Sequence, residues 1–529
     1  MKIKCSKPLL VAAVVHWLIT FGTDRIFFTY SLSSFKTAEE MKFTFYAWGV
    51  KFAFLLILAV SYQLLGNTVK RYQSKDKVIR ERVFYAGIYF LTMLILLFLV
   101  YPGAWRMDEF GLLRDAANLL PVFWQGYLTS YFYIFSLMLI PVPAGVVAVQ
   151  CFVISICIGV VCERAQRILK LKHKIWLLLP YVAFPVLDSN MYPMRMSVYV
   201  FLELCLFVLF LSAIMEQRRF TEKETWMAIF LTAVLAVWRT EGIYYMLWIP
   251  LVYLVTFWKR EETKKKLKFV TVTVVVSILV MLPQTLGNKL VSGDQYEITS
   301  MVLPLAPLLC EAQKADRADI QAIDKVIDTT LMIEGYEEGK SGISVFWSEP
   351  LLIRKNYTVT EYKEFKSAYY NLIMKYPKVF LKERVETFIN SNGILMNTTE
   401  LYDTEDVPNY VEFREKYVGG QGIFVTVRKQ LLSLLELRSF SDYNEKLSIY
   451  YVVYSFLPQL LVLSAVSVMC LIRRKWSSLL VLLGIMGKVP LIFLTAPSLL
   501  FMYYYGIYLV GVVVFIYGIY ALYRRRKET

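Results

Sequence analysis

Twelve apolar stretches alternate with short basic loops along this chain, and all of the basic loops fall on one side if every stretch crosses a bilayer. A spanning helix needs about 20 predominantly apolar residues. The stretches run over 8–30, 43–65, 83–102, 143–162, 175–188, 195–214, 226–238, 243–258, 268–284, 448–472, 477–495 and 500–523. Lys70, Arg71, Lys75, Lys77, Arg80 and Arg82 follow the second; Arg164, Arg167, Lys170, Lys172 and Lys174 follow the fourth. Lys259, Arg260, Lys264, Lys265, Lys266 and Lys268 follow the eighth, Arg473, Arg474 and Lys475 the tenth, and Arg524, Arg525, Arg526 and Lys527 the twelfth. Short cytoplasmic loops concentrate Lys and Arg. The pattern therefore predicts an all-α polytopic membrane protein of about twelve helices with both termini in the cytoplasm.

A mean hydropathy of +0.49 with 57% apolar residues excludes an ordinary soluble enzyme. The net charge of +16 invites a nucleic-acid partner, but its distribution argues against one. The long stretch 286–447 carries 19 basic and 24 acidic residues, so the excess positive charge sits in the cytoplasmic loops, facing anionic lipid head groups. The opening MKIKCSK lacks a small-residue cleavage site, so the first stretch reads as a retained helix. Cys310 is alone in the long stretch, which leaves that stretch no internal disulfide. His16 and His173 are the only histidines, and no His-based metal site follows from them.

Three regions result. Residues 1–285 hold helices one to nine, with an outer acidic loop at 103–122. The aromatic segment 123–141 is long enough to cross, but 143–162 already supplies the crossing that the charge pattern requires. It is expected to be an interfacial or re-entrant helix, rich in the Trp and Tyr that favour the head-group region. Residues 286–447 are too many for a connector and predict a small, mainly helical extracytoplasmic domain. Residues 448–529 hold helices ten to twelve and a basic tail.

Within the long stretch, Thr358 and Glu361 have the spacing of a capping box, after which Phe365, Tyr369, Leu372 and Ile373 share a face. Pro377 predicts a following helix with a stripe of Phe380, Leu381, Val385, Phe388 and Ile389, ending near Asn392-Gly393. Residues 305–332 predict another amphipathic helix or pair, and GGQG at 419–422 a turn.

The chemistry gathers at the outer face. YPGAWRMDEF places Asp108 and Glu109 just beyond the third helix, beside Trp105 and Phe110. The pair is either a solvated acidic loop or a site, with a carboxylate poised as general base or as ligand to a divalent cation, Mg or Mn. Arg195 opens the sixth helix and Asp188 ends the fifth; Arg239 and Glu241 form the turn between the seventh and eighth. For the two arginines, snorkelling to lipid phosphate stands beside ligand binding. Glu241 reads first as a turn acid paired with Arg239. Lys488 lies inside the eleventh stretch, where a lysine needs a partner or a ligand path. Tyr503, Tyr504 and Tyr505 read as packing and interface aromatics.

This layout resembles the GT-C superfamily of integral-membrane glycosyltransferases: an acidic pair in the first main outer loop, interfacial aromatic helices after it, outer-end arginines and an outer soluble unit. The resemblance covers mainly residues 83–260, and the openings YPG…DE and R-x-E-G are similar to bacterial membrane proteins grouped near that superfamily. It implies a bacterial plasma-membrane enzyme that moves a sugar from a polyprenyl-phosphate carrier to an envelope lipid, glycan or protein. Asp108, assisted by Glu109, would take the acceptor's proton. Arg195, Arg239 and Lys488 would hold the donor phosphate, with Glu241, Asp188 and Trp105 in support. Two other classes stay open: a lipid or polysaccharide transporter or flippase, and a non-catalytic envelope-assembly protein. Transporters usually place binding charges near the midplane on broken helices; a cluster of charge at one face favours surface chemistry.

Overall fold

The computed structural model describes residues 6–33, 35–170, 175–288, 295–313, 316–348, 350, 352–354, 356–391, 408–419, 423–442 and 445–528. Among them the chain is helical, and its only β pairings are two isolated bridges, Ile327 with Ile353 and Arg438 with Lys446. Nine helical stretches are long and apolar enough to cross a membrane: Lys7–Ile26, Ala38–Gln73, Lys77–Leu99, Pro143–Leu169, Arg195–Met215, Thr263–Gly287, Tyr450–Ile472, Trp476–Thr495 and Phe501–Tyr523. These correspond to nine of the twelve predicted stretches. The other three, around 175–188, 226–238 and 243–258, form shorter or irregular elements, and their contacts give the reason.

The helices of the first part are α1 (Lys7–Thr23), α2 (Ala38–Gln73), α3 (Lys77–Leu99), α4 (Met107–Ala117), α5 (Tyr127–Leu139), α6 (Pro143–Leu169), α7 (Phe184–Met191), α8 (Arg195–Met215), α9 (Glu222–Trp238), α10 (Tyr245–Thr256) and α11 (Thr263–Gly287). α6 and α8 are buried along most of their length and form the centre. α3 lies along α6 at Gly159, where a Cβ would stand 2.6 Å from the Arg82 carbonyl oxygen, so only glycine admits the approach. α1, α2 and α11 instead present large apolar side chains outward, Leu18, Phe45, Leu56 and Leu279 among them.

The stretch after α6 breaks because Pro180 interrupts a 3₁₀ turn over Ile175–Val182 before α7 begins at Phe184. It nonetheless runs antiparallel to α6: Cys162 Sγ meets Leu177 O at 3.5 Å, and Gln150 Nε2 donates to Asn190 O at 3.0 Å. α9 has only 17 residues, yet Arg164 near the end of α6 bonds both Ser212 and Glu224, while the Trp238 carbonyl reaches the level of Gly126. α10 is shorter still because the turn Thr240–Gly242 dips inward. Tyr245, its first residue, already bonds Glu203, two turns inside α8.

A second unit follows: α12 (Gln295–Ala312), α13 (Arg317–Asp324), α14 (Thr329–Glu337), α15 (Gly342–Phe346), α16 (Val359–Lys375) and α17 (Pro377–Asn390). Its own core joins Ile298, Leu305, Leu309, Ile323, Phe365 and Leu372. The capping box forms: Glu361 N donates to Thr358 Oγ1 at 3.2 Å and Thr358 N to Glu361 Oε2 at 2.7 Å. The predicted stripe of α17 does not bury as a block. Phe380 is buried, but Leu381, Val385 and Ile389 are exposed, and Phe388 packs on Phe456 and Tyr504 of the main body. The expected stop near Asn392-Gly393 and most of the 419–422 turn lie outside the described residues.

The chain then returns through α18 (Pro408–Phe413) and α19 (Ile423–Leu435), whose Phe413, Leu432 and Leu435 join the main core. The last helices are α20 (Tyr450–Val453), α21 (Leu457–Ile472), α22 (Trp476–Met486), α23 (Lys488–Thr495) and α24 (Tyr505–Glu528). α22 and α23 are two halves of one stretch, interrupted at Gly487.

Candidate active site

The peptide chain turns sharply after α3 and starts α4 with Arg106 at its N-cap, so Asp108 and Glu109 occupy the first helical turn. Two carboxylates there complement the amide end of the helix dipole. Their surroundings separate them. Asp108 is partly exposed, whereas Glu109 is 3% exposed and receives the Tyr192 hydroxyl at 2.5 Å on Oε2. Burial pushes the Glu109 carboxyl up to about 8, and the neighbouring Asp108 charge adds to the shift. Asp108 is also raised by burial, but Arg195 opposes the shift, and Gln125 Nε2 stands 3.5 Å from Oδ2. At neutral pH Glu109 therefore holds its proton.

Beneath the pair lies a buried charge network that residue spacing did not disclose. Arg106 Nη2 donates to Asp188 Oδ1 at 3.1 Å and to Glu436 Oε1 at 3.1 Å, and its guanidinium covers the Tyr192 ring at 4.1 Å. Arg438 Nε closes the network on Glu436 Oε2 at 2.6 Å. Two arginines meet two acids, so the charge balances inside a site with almost no solvent, as a buried network requires. Asp188 is thus a partner of Arg106. Trp105 is fully buried against Phe110, Tyr133 and Phe413, with Nε1 on Pro102 O.

The structure brings some of the expected residues together and separates others. Arg195 opens α8, donates to Trp124 O at 3.2 Å and lies within electrostatic reach of Asp108. Arg239 and Glu241 pair at 2.6 Å in a distinct cluster, with the Arg239 guanidinium over the Tyr503 ring. Lys488 is in that second cluster too, but its ammonium is 2.5 Å from Glu203, which also takes the Tyr245 hydroxyl. The acid that the intramembrane lysine needs is therefore Glu203, passed over because it stands alone in an apolar helix. Arg106, Tyr192, Gln125, Glu436 and Arg438 were passed over as well. The first carried a signal, a lone arginine between Trp105 and an acidic pair; the last two arrive from more than three hundred residues away.

Among the described residues no three His, Cys, Asp or Glu side chains gather as a metal set. Asp108 and Glu109 thus have no third such side chain beside them to complete a cation site built by the protein alone. No family model, curated protein or solved structure matches the chain.

Proposed function

We propose that the chain is a membrane glycosyltransferase of GT-C type, with Asp108 as the base that receives the acceptor's proton. The observation that carries the reading is the split between two adjacent carboxyls, Glu109 sealed and bonded to Tyr192, Asp108 partly exposed and within reach of Arg195. Pairs whose environments set their protonation states apart mark acid–base sites. The acceptor oxygen would bond to C1 of the sugar while the C1–O bond to the lipid phosphate breaks. Asp108 would take the hydroxyl proton, and the departing phosphate would carry its charge toward Arg195. Glu109 would keep its proton and limit how much negative charge collects at the opening.

Topology belongs to the same reading. Counting the irregular elements over 175–191, α9 and α10 as crossings gives twelve. With the basic loops inside, this reading puts both termini in the cytoplasm and α4 and the second unit outside, and the membrane would be a bacterial plasma membrane. A polyprenyl-phosphate sugar would enter sideways from the bilayer, which is a reason for such an enzyme to be embedded in it. The acceptor would be an envelope lipid, glycan or protein.

The test is sugar transfer from a synthetic polyprenyl-phosphate donor by purified protein in nanodiscs, compared with Asp108→Asn. Equal rates would dismiss Asp108; no turnover by wild type with any donor would dismiss the transferase. A transporter is the second reading, favoured by the buried Lys488–Glu203 pair at the Gly487 break. Lipid movement across vesicles without turnover would select it.

A further inference from the structure

α4 has a second functional face. Phe110, Leu113, Arg114 and Ala117 recur at helical spacing on the side turned away from Asp108, and they line a cavity of about 230 Å³. Its other walls are the segment after α1 and the stretch Glu412–Tyr417. Thr29 ties the first wall to α4, donating from N to Ala117 O at 3.0 Å and from Oγ1 to Asn118 Oδ1 at 2.6 Å.

The lining has two chemistries. Phe27, Phe110, Phe413 and Tyr417 form an aromatic floor, with ring centres 4.9 Å apart for Phe110–Phe413, 5.3 Å for Phe413–Tyr417 and 6.3 Å for Phe27–Tyr417. Around it stand Arg114, Lys416, Glu412 and Asn118, two cations against one anion. Arg114 is well exposed and meets Asp115 through Nε at 3.3 Å, and the Lys416 ammonium rests over the Tyr417 ring at 5.3 Å. The rings tilt by 54°, 49° and 36° to one another, so the floor is a faceted cup of aromatic carbon, and such carbon packs against the C–H face of a sugar ring. Asn118 and Glu412 suit its hydroxyls, and the two cations suit a carboxylate or phosphate at its edge. The volume is below the usual ~300–1,000 Å³ of small-molecule sites and suits a single ring.

We propose that this cavity binds one anionic sugar unit of a glycan. It lies on the opposite side of α4 from Asp108 and does not depend on the transferase reading.

The experiment is calorimetry on the full-length protein in nanodiscs, with a glucuronate-containing disaccharide and its neutral glucose counterpart as probes. The uronate form should bind, and the neutral form on the order of tenfold more weakly. Lys416→Gln and Arg114→Gln change exposed side chains and should leave the melting temperature in place. Each should weaken uronate binding by about tenfold. Ala117→Phe should fill the cavity and abolish binding. Asp108→Asn should bind as wild type, so failure of the catalytic reading would not be mistaken for failure of this one. Equal affinity for the two disaccharides, no binding of either, indifference to Lys416→Gln and Arg114→Gln, or saturable binding of phosphatidylglycerol alone would each overturn the proposal.

Discussion

Tyr192 gives its phenolic hydrogen to Glu109 Oε2 at 2.5 Å while its ring lies beneath the guanidinium of Arg106, 4.1 Å from the ring centre. One side chain thus joins the acidic pair at the opening to the buried charge network below it. Burial, helped by the neighbouring Asp108 charge, raises the Glu109 carboxyl, and the Tyr192 hydroxyl opposes that shift.

Asp108→Asn preserves shape and hydrogen bonding but removes the anion. Turnover of a lipid-linked sugar should fall on the order of 10²–10⁴-fold, with an unchanged melting temperature. Glu109→Gln resembles the protonated acid and should cost far less. A Glu109→Gln enzyme as impaired as Asp108→Asn would reverse the two roles.

Stability should carry the mark of Glu109. Its folded carboxyl titrates near 8 against an ordinary value of 4.5, so between these values the folded state holds a proton that the unfolded state has lost. The contribution is fully present below the unfolded value and is lost as pH rises toward 8. Melting temperatures of wild type should therefore decline from pH 5 to 8 more steeply than those of Glu109→Gln. Parallel curves would remove Glu109 from the account.

Arg106→Met would leave Asp188 and Glu436 facing each other without their shared cation. Stripping one partner from a buried network costs ~3–5 kcal/mol, so thermal unfolding in detergent should show a large loss. Adding Glu436→Gln should recover part of it. A near-neutral Arg106→Met would mean that the network is not what holds α19 to α4.

Lys488 can be tested by cycle. Lys488→Met should destabilise by stranding Glu203, and Lys488→Met with Glu203→Gln should restore much of the loss. If the double variant is stable and still uses lipid donor with wild-type KM, Lys488 has no part in phosphate binding. A raised KM in that stable protein would give it one.

Single cysteines at Gly111 and Lys340, in a Cys-free background, should react with a membrane-impermeant thiol reagent in intact cells. Those at Lys75 and Lys264 should react only after the membrane is opened. The reverse pattern would turn the proposed topology over and move Asp108 to the cytoplasm.

Local chemistry made much of this legible in the sequence. Long apolar runs became long helices although α2 carries Lys51 and α8 carries Glu203, because each such charge finds a buried partner, and Thr358 with Glu361 capped α16 because a capping box needs only neighbours. The irregular elements were harder. The 3₁₀ turn with Pro180 has its carbonyls met by the distant Tyr89, Tyr517 and Tyr520, and the turn at Thr240–Gly242 closes on the adjacent Arg239–Glu241 pair, so apolar composition alone makes both resemble a plain helix. Asp108 and Glu109 announced themselves as a pair at the end of a hydrophobic helix. Their unequal environments did not, since the burial of Glu109 and the Arg195 and Gln125 neighbours of Asp108 come from other places in the chain. Lys488 was visible as an anomaly, but its partner Glu203 lies 285 residues earlier.

The separation between Arg106 and Glu436, 330 residues, has a consequence for how the protein is made. Chains emerge and insert from the N-terminus. Arg106 can meet Asp188 once the first two hundred residues are in place, but Glu436 and Arg438 are synthesised only after the whole second unit has emerged. Until then the acidic turn is held by half of its clasp. A nascent or truncated chain ending before α19 would carry Asp108 on a loosely anchored helix. The finished arrangement is thus withheld until the second unit has been delivered to its side of the membrane.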